Sequence, residues 1–123
     1  MRILLAEDAD DYAQIITAVL KKQGYEVERV EDGVKAYSKI NDETAPDLLI
    51  TDVMMPGMTG FELIGKLKDE NKLPPTIVLT GKNSEEDIIR GLGYGVIDYI
   101  PKPFSPTIFL ARIKVALAKA KAA

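Results

Sequence analysis

The chain contains no cysteine and no histidine. Without cysteine there is no disulfide, no thiolate nucleophile and no Cys-ligated zinc. Without histidine the Ser-His-Asp and Cys-His machineries are excluded, and any chemistry falls to carboxylates, lysine, tyrosine and hydroxyls. Basic residues form no block, and the net charge is −3 with a pI near 5.0. A nucleic-acid footprint needs a basic patch, so direct binding of nucleic acid is not expected. No apolar run approaches the ~20 residues of a membrane span, and the N-terminus carries no secretory pattern. The expected location is therefore the cytoplasm. What is present is ordinary: 123 residues, 46% hydrophobic and 28% charged, which suit one domain around one core.

The stretch Leu48-Leu49-Ile50-Thr51-Asp52-Val53-Met54-Met55-Pro56-Gly57-Met58-Thr59-Gly60 organises the rest. Its apolar run reads as a strand buried on both faces, as in a parallel sheet. Asp52 stands where that strand stops. Pro56-Gly57 makes a turn, and Gly60 allows a helix to start close to the backbone. A lone Asp here would read as a turn cap. Charged and hydroxyl residues ending the other strands argue against that.

Arg2 to Ala6 is a short buried strand that runs into Glu7-Asp8-Ala9-Asp10-Asp11, four carboxylates in five residues. Asp10 or Asp11 can cap the helix that follows. Glu7 and Asp8 come directly off the strand, and paired hard oxygen ligands there suit Mg²⁺ or another hard cation. Tyr12, Ile15, Ile16, Val19 and Leu20 form a core stripe at helical spacing, and Gly24 stops that helix. Tyr25 to Val30 is a strand with one more polar face. Asp32 caps a second helix to about Ile40, and Asn41 to Pro46 is a polar connection. After the Asp52 strand, Phe61, Leu63, Ile64 and Leu67 mark a third helix, with Thr59 as its cap. A loop over Asn71 to Pro75 leads to the strand Thr76 to Leu79, which ends at Thr80; Gly81 leaves the space above that hydroxyl open. Asn83 or Ser84 caps a fourth helix, with Asn83 and Glu86 fitting a capping box. Gly91, Gly93 and Gly95 weaken it, at ~1 kcal/mol for each helical Gly, so a short or mobile helix is expected. Val96 to Ile100 is the fifth strand. Ser105-Pro106 starts the last helix, with Leu110, Ile113 and Leu117 facing inward.

Strand and helix thus alternate five times with short loops. This is the pattern of an α/β doubly wound five-stranded parallel sheet, (βα)5, with helices on both faces. In a parallel sheet Glu7, Asp8, Asp52, Thr80 and Lys102 share one edge. Carboxylates to hold a divalent cation, a hydroxyl donor and a compact positive charge form a kit for phosphoryl transfer.

The chain resembles the receiver domain of two-component response regulators over essentially its whole length. The likeness rests on Glu7-Asp8, the Asp52-Val53-Met54-Met55-Pro56-Gly57 run with Gly60, Thr80-Gly81, and Tyr99 with Lys102-Pro103-Phe104. The resemblance implies the flavodoxin-like strand order 2-1-3-4-5. It implies that Asp52 is the nucleophile and phosphoacceptor. Asp8, Asp52 and the backbone carbonyl of Met54 would hold Mg²⁺, with Glu7 acting nearby. Thr80 and Lys102 would bind the phosphoryl group, Lys102-Pro103 would be cis, and Tyr99 would be a rotamer switch coupled to Thr80. Met54 and Lys82, two residues past Asp52 and Thr80, would tune hydrolysis. Glu7 stands where the family often has Asp. Gly91, Gly93 and Tyr94 depart from its ordinary helix residues, Tyr94 from a frequent Ala.

The implied function is a signalling switch, not a classical enzyme. A sensor histidine kinase or a phosphotransfer protein would donate the phosphoryl group. The fourth helix, fifth strand and last helix would form the output face. A downstream protein, a covalently linked output domain or a second copy in a phosphorylation-dependent homodimer would read that face. The expected domain spans residues 1–123, with Ala118 to Ala123 a frayed helical tail. Three other readings fit less well. A phosphatase of the haloacid dehalogenase type wants Asp-x-Asp after its first strand, whereas here the Asp follows the third strand and position 54 is Met. A flavin site needs a phosphate loop where this chain has four carboxylates. A binding-only receiver fold would have lost a key residue, and none is lost.

Overall fold

The computed structural model of the chain describes residues 1–42, 44–81, 89–90 and 92–122. Five strands alternate with helices: β1 (Arg2–Ala6), α1 (Asp10–Lys22), β2 (Glu26–Val30), α2 (Gly33–Asp42), β3 (Leu48–Asp52), α3 (Gly60–Asp69), β4 (Thr76–Thr80), β5 (Asp98–Pro101) and α4 (Pro106–Ala122). All strand pairs are parallel, in the order β2-β1-β3-β4-β5, the expected one. The caps expected at Asn83 and Ser84, and the Asn83–Glu86 capping box, lie outside the described residues. Residues 89–90 and 92–93 are helical.

Alternation along the strands divides the core. Ile3, Leu5, Leu48, Ile50, Ile77, Leu79 and Ile100 face one layer, where Ala13, Ile16 and Leu20 of α1 meet Phe109, Ile113, Ala116 and Leu117 of α4. Leu4, Ala6 and Leu49 face the other layer, against Ala36 and Ile40 of α2 and Leu63 and Leu67 of α3. Both faces of β3 are covered, so all five of its residues are buried, Asp52 included.

Local chemistry explains most boundaries. α3 starts on a complete capping box: Glu62 N–H donates to the Thr59 hydroxyl, and the Glu62 carboxylate accepts from Thr59 N–H. Asp32 accepts from Lys35 N–H at 2.8 Å ahead of α2. Ser105 accepts from Ile108 N–H at 3.3 Å, with Pro106 as the first residue of α4. Gly24 closes α1 at φ +87°, with its N–H on Lys21 C=O and Tyr25 N–H on Leu20 C=O.

Several expectations are corrected. Neither Asp10 nor Asp11 caps α1: the helix already begins at Asp10, and Ala9 is the N-cap, with no side-chain capping bond. Both acids sit in the first turn, where they suit the helix dipole, and Asp10 pairs with Arg29 at 2.9 Å. Ile15 is 49% exposed, because the α1 face on the sheet is Ala13, Ile16 and Leu20 and Ile15 lies off it. α2 continues past Ile40 to Asp42, and β5 begins at Asp98 rather than Val96. In α4 the inward face also takes Phe109 and Ala116, while Leu110 is only partly buried.

Candidate functional site

Parallel strands bring their carboxyl ends to one edge, and three ladder extensions carry the key residues there. Glu7 N–H continues the β1–β2 ladder onto Val30 C=O at 3.1 Å. Val53 N–H, next to Asp52, bonds Leu79 C=O at 3.2 Å. Lys102 N–H bonds Thr80 C=O at 2.7 Å, so the lysine backbone is fixed beside the threonine. The sheet order reverses between β1 and β3, where Glu7, Asp8 and Asp52 emerge. Such switch points are where open α/β sheets take ligands.

Asp52 is 7% exposed. Its Oδ1 accepts from Val53 N–H at 2.8 Å, and its Oδ2 accepts from Lys102 Nζ at 2.9 Å. The same ammonium reaches Glu7 Oε1 at 2.5 Å. Glu7 is 0% exposed. Burial, then a hydrogen bond shared with Asp52, raises its carboxyl from 4.5 to about 7, against the opposing pull of Lys102. For Lys102, burial works against the charged form, but the bonds from Glu7 and Asp52 outweigh it and the pKa is raised. Lys102 is thus a clamp between two carboxylates, reached through a cis Lys102-Pro103 peptide.

Glu7, Asp8 and Asp52 each offer an oxygen, all within 4.8 Å of one another. Three carboxylates without nitrogen or sulfur donors suit a hard divalent cation such as Mg²⁺. Asp8 is exposed and Glu7 and Asp52 are buried, so the group opens to solvent on one side.

Beside this cluster lies a cavity of about 530 Å³, lined by Asp52, Thr80 and Lys102 and by Met54, Phe61 and Arg90. Gly81 also lines it, and among the described residues nothing within 4 Å would meet a Cβ there, which agrees with the open space expected above Thr80. The Met54 side chain is 71% exposed.

A family model described as "Response regulator receiver domain" matches residues 3–114. The chain belongs to that family. Its curated relatives include response regulator GtcR of Aneurinibacillus migulanus, 40% identical over 118 residues, covering 96% of this chain and 48% of the relative. The phosphate regulon transcriptional regulatory protein PhoB of Escherichia coli is also 40% identical, covering 94% of this chain and 51% of PhoB. The chain therefore spans about half the length of these relatives. Among solved structures, a CheY-like response regulator receiver domain protein of Methanospirillum hungatei superposes with a TM-score of 0.90 at 30% identity, covering 98% of this chain and 96% of the other.

In this receiver domain, Glu7, Asp8, Asp52, Thr80 and Lys102 converge as expected from their strand ends. Tyr99 does not line the cavity. It lies one ring further out, its centroid 6.4 Å from that of Phe61, and its C=O accepts from Arg112 at 2.7 Å. Lys82 lies outside the described residues. Two cavity residues escaped the sequence reading. Phe61 looked like core and proves to be both core and wall. Arg90 carried no signal, being one cation in a polar helical stretch.

Proposed function

We propose that this receiver domain, acting as one unit over residues 1–123, accepts a phosphoryl group on Asp52 from a sensor histidine kinase or a phosphotransfer protein. The observation that carries the reading is Asp52 itself. It is a nearly buried carboxylate on the floor of an open cavity, with a cation at 2.9 Å and two further carboxylates alongside.

The Val53 N–H holds one Asp52 oxygen, which orients the carboxylate and leaves the other toward Lys102. That oxygen attacks the phosphorus of a phosphohistidine. The P–O bond to Asp52 forms as the P–N bond breaks, and the imidazole leaves with the electron pair and takes up a proton. Lys102 transfers its hydrogen bond from the carboxylate to an oxygen of the incoming group, and the Thr80 hydroxyl donates to another. Glu7, Asp8, Asp52 and the Met54 carbonyl would hold Mg²⁺, which when bound supplies positive charge against the anion brought to an anionic site. Water ends the phosphorylated state by attacking the phosphorus of the acyl phosphate: the P–O bond to Asp52 breaks, the carboxylate is regenerated and inorganic phosphate leaves, so the chain assists its own phosphorylation and dephosphorylation.

The output face in this reading comprises residues 89–90 and 92–93, β5 and α4. Ile89, Leu92, Ile108 and Val115 are exposed there. Such a surface suits a downstream protein, a linked output domain or a second copy of the chain. Tyr99, between Phe61 and this face, would carry the change.

Intact mass after incubation with acetyl phosphate tests the reading. One phosphoryl adduct is expected, dependent on Mg²⁺ and absent from Asp52→Asn. An adduct that survives in Asp52→Asn moves the acceptor elsewhere, and no adduct on folded wild-type protein leaves a binding-only domain.

A further inference from the structure

Lys102 is already engaged in the resting site, with one carboxylate at 2.5 Å and another at 2.9 Å. An arriving phosphoryl group adds negative charge to a cluster that holds Glu7, Asp8 and Asp52. Among the described residues lining the cavity, the other cation is Arg90. Its guanidinium makes no ion pair with a described residue; it lies 4.8 Å from the centroid of the Phe61 ring.

That placement follows from the Asp52 loop. Gly60 packs directly on the Asp52 carbonyl, so Phe61, the next residue, is fixed beside the acceptor strand. Tyr94 also stacks on Phe61, with ring centroids 6.4 Å apart. A cation held on an aromatic face keeps its charge and its five N–H donors, because the ring accepts no conventional hydrogen bond. Arg90 is thus parked at the cavity wall, its guanidinium donors in no ion pair with a described residue. A planar guanidinium offers a rigid fork of N–H donors that fits two oxygens of a phosphoryl group side by side, a geometry an ammonium lacks.

We infer that Arg90 is a second phosphoryl-binding cation of this site, swinging from the Phe61 ring to the oxygens of the group on Asp52. The inference rests on the proposed phosphorylation of Asp52. Arg90 would take the oxygens facing the open side of the cavity, and Lys102 those facing Glu7. Arg90 then affects how readily a phosphoryl group is taken up and held, while the three carboxylates continue to decide how the metal binds.

The test compares wild type with Arg90→Gln and Arg90→Lys. Three quantities are read: the initial rate of adduct formation from acetyl phosphate, the affinity for beryllofluoride in saturating Mg²⁺, and the affinity for Mg²⁺ alone. Arg90→Gln is expected to lower the first two on the order of tenfold, the worth of one charge-assisted hydrogen bond. Arg90→Lys is expected to fall between it and wild type. Mg²⁺ affinity is expected to stay level or tighten, since a positive charge has been removed. Uptake and beryllofluoride affinity unchanged in Arg90→Gln would overturn the inference. So would a matching loss of Mg²⁺ affinity and thermal stability, which would make Arg90 a structural residue. If wild type itself takes no adduct, the phosphoacceptor reading fails first, and the inference falls with it.

Discussion

Gly60 enters α3 against the carbonyl of Asp52, so closely that a Cβ at this position would stand 2.1 Å from that oxygen and 3.0 Å from its carbon. The obstacle is backbone, which cannot rotate away. Gly60 N–H also bonds Val53 C=O at 2.8 Å, so helix and loop are tied at the same point. Gly60→Ala is expected to cost about 1–3 kcal/mol, the range for overpacking a filled site. It should also slow adduct formation by displacing Asp52. Urea unfolding and intact-mass kinetics check both, and a variant with wild-type values in each would show that the loop absorbs the methyl group.

The Glu7–Lys102 pair has a pH signature. Folding raises the Glu7 carboxyl from 4.5 to about 7, chiefly by burial. Between those values the folded chain holds a proton that the unfolded chain has released. Its contribution to stability is therefore fully present below 4.5 and is lost as pH rises through about 7. In metal-free buffer the melting temperature of Glu7→Gln, relative to wild type, is expected to rise between pH 5 and pH 8. Lys102→Ala should act in the opposite sense, with a destabilisation of about 3 kcal/mol at pH 8 that shrinks at pH 5, because the stranded carboxylate can then protonate. Melting curves across that range check both, and a pH-independent difference for Glu7→Gln would place its titration elsewhere.

Tyr94 and Gly65 form a matched pair. A Cβ on Gly65 would lie 3.3 Å from the Tyr94 hydroxyl oxygen, and Lys68 on the same helix donates to Gly93 C=O at 3.3 Å. Tyr94→Ala is expected to cost about 1 kcal/mol through the lost stacking on Phe61. Gly65→Ala should be less harmful, or favourable, once the ring is gone, because helix propensity then acts alone. A double-mutant cycle by chemical unfolding measures the coupling. Strictly additive effects would mean that ring and helix do not press on one another.

Strand ends were legible because an apolar run that stops on a carboxylate breaks its own pattern. Asp52 after Leu48 to Ile50, and Glu7-Asp8 after Ile3 to Leu5, announce themselves in this way. Caps at Thr59, Asp32 and Ser105 were equally plain, since each depends on residues within one turn. Asp10 misled because a first-turn acid and a cap carry the same sequence signal, and only the backbone at Ala9 separates them. Ile15 misled because hydrophobic spacing does not say which edge of a stripe meets the sheet. Arg90 on Phe61 and Tyr94 on Gly65 were out of reach for a different reason. Each joins α3 to the chain between β4 and β5, and neither partner shows its fitness until both elements are placed.

β3 has neighbours on both sides and helices over both faces, with all five residues buried. A strand in that position opens last, close to the global unfolding limit, whereas Asp8 and Met54 sit on exposed connections. In the proposed reaction the acceptor oxygen is thus mounted on a fully buried strand, with exposed residues beside it. How long a mark on Asp52 lasts is then set by the atoms around it, and not by how often the scaffold beneath it lets go. A timer built this way can be lengthened or shortened by changing loop residues, without retuning the fold.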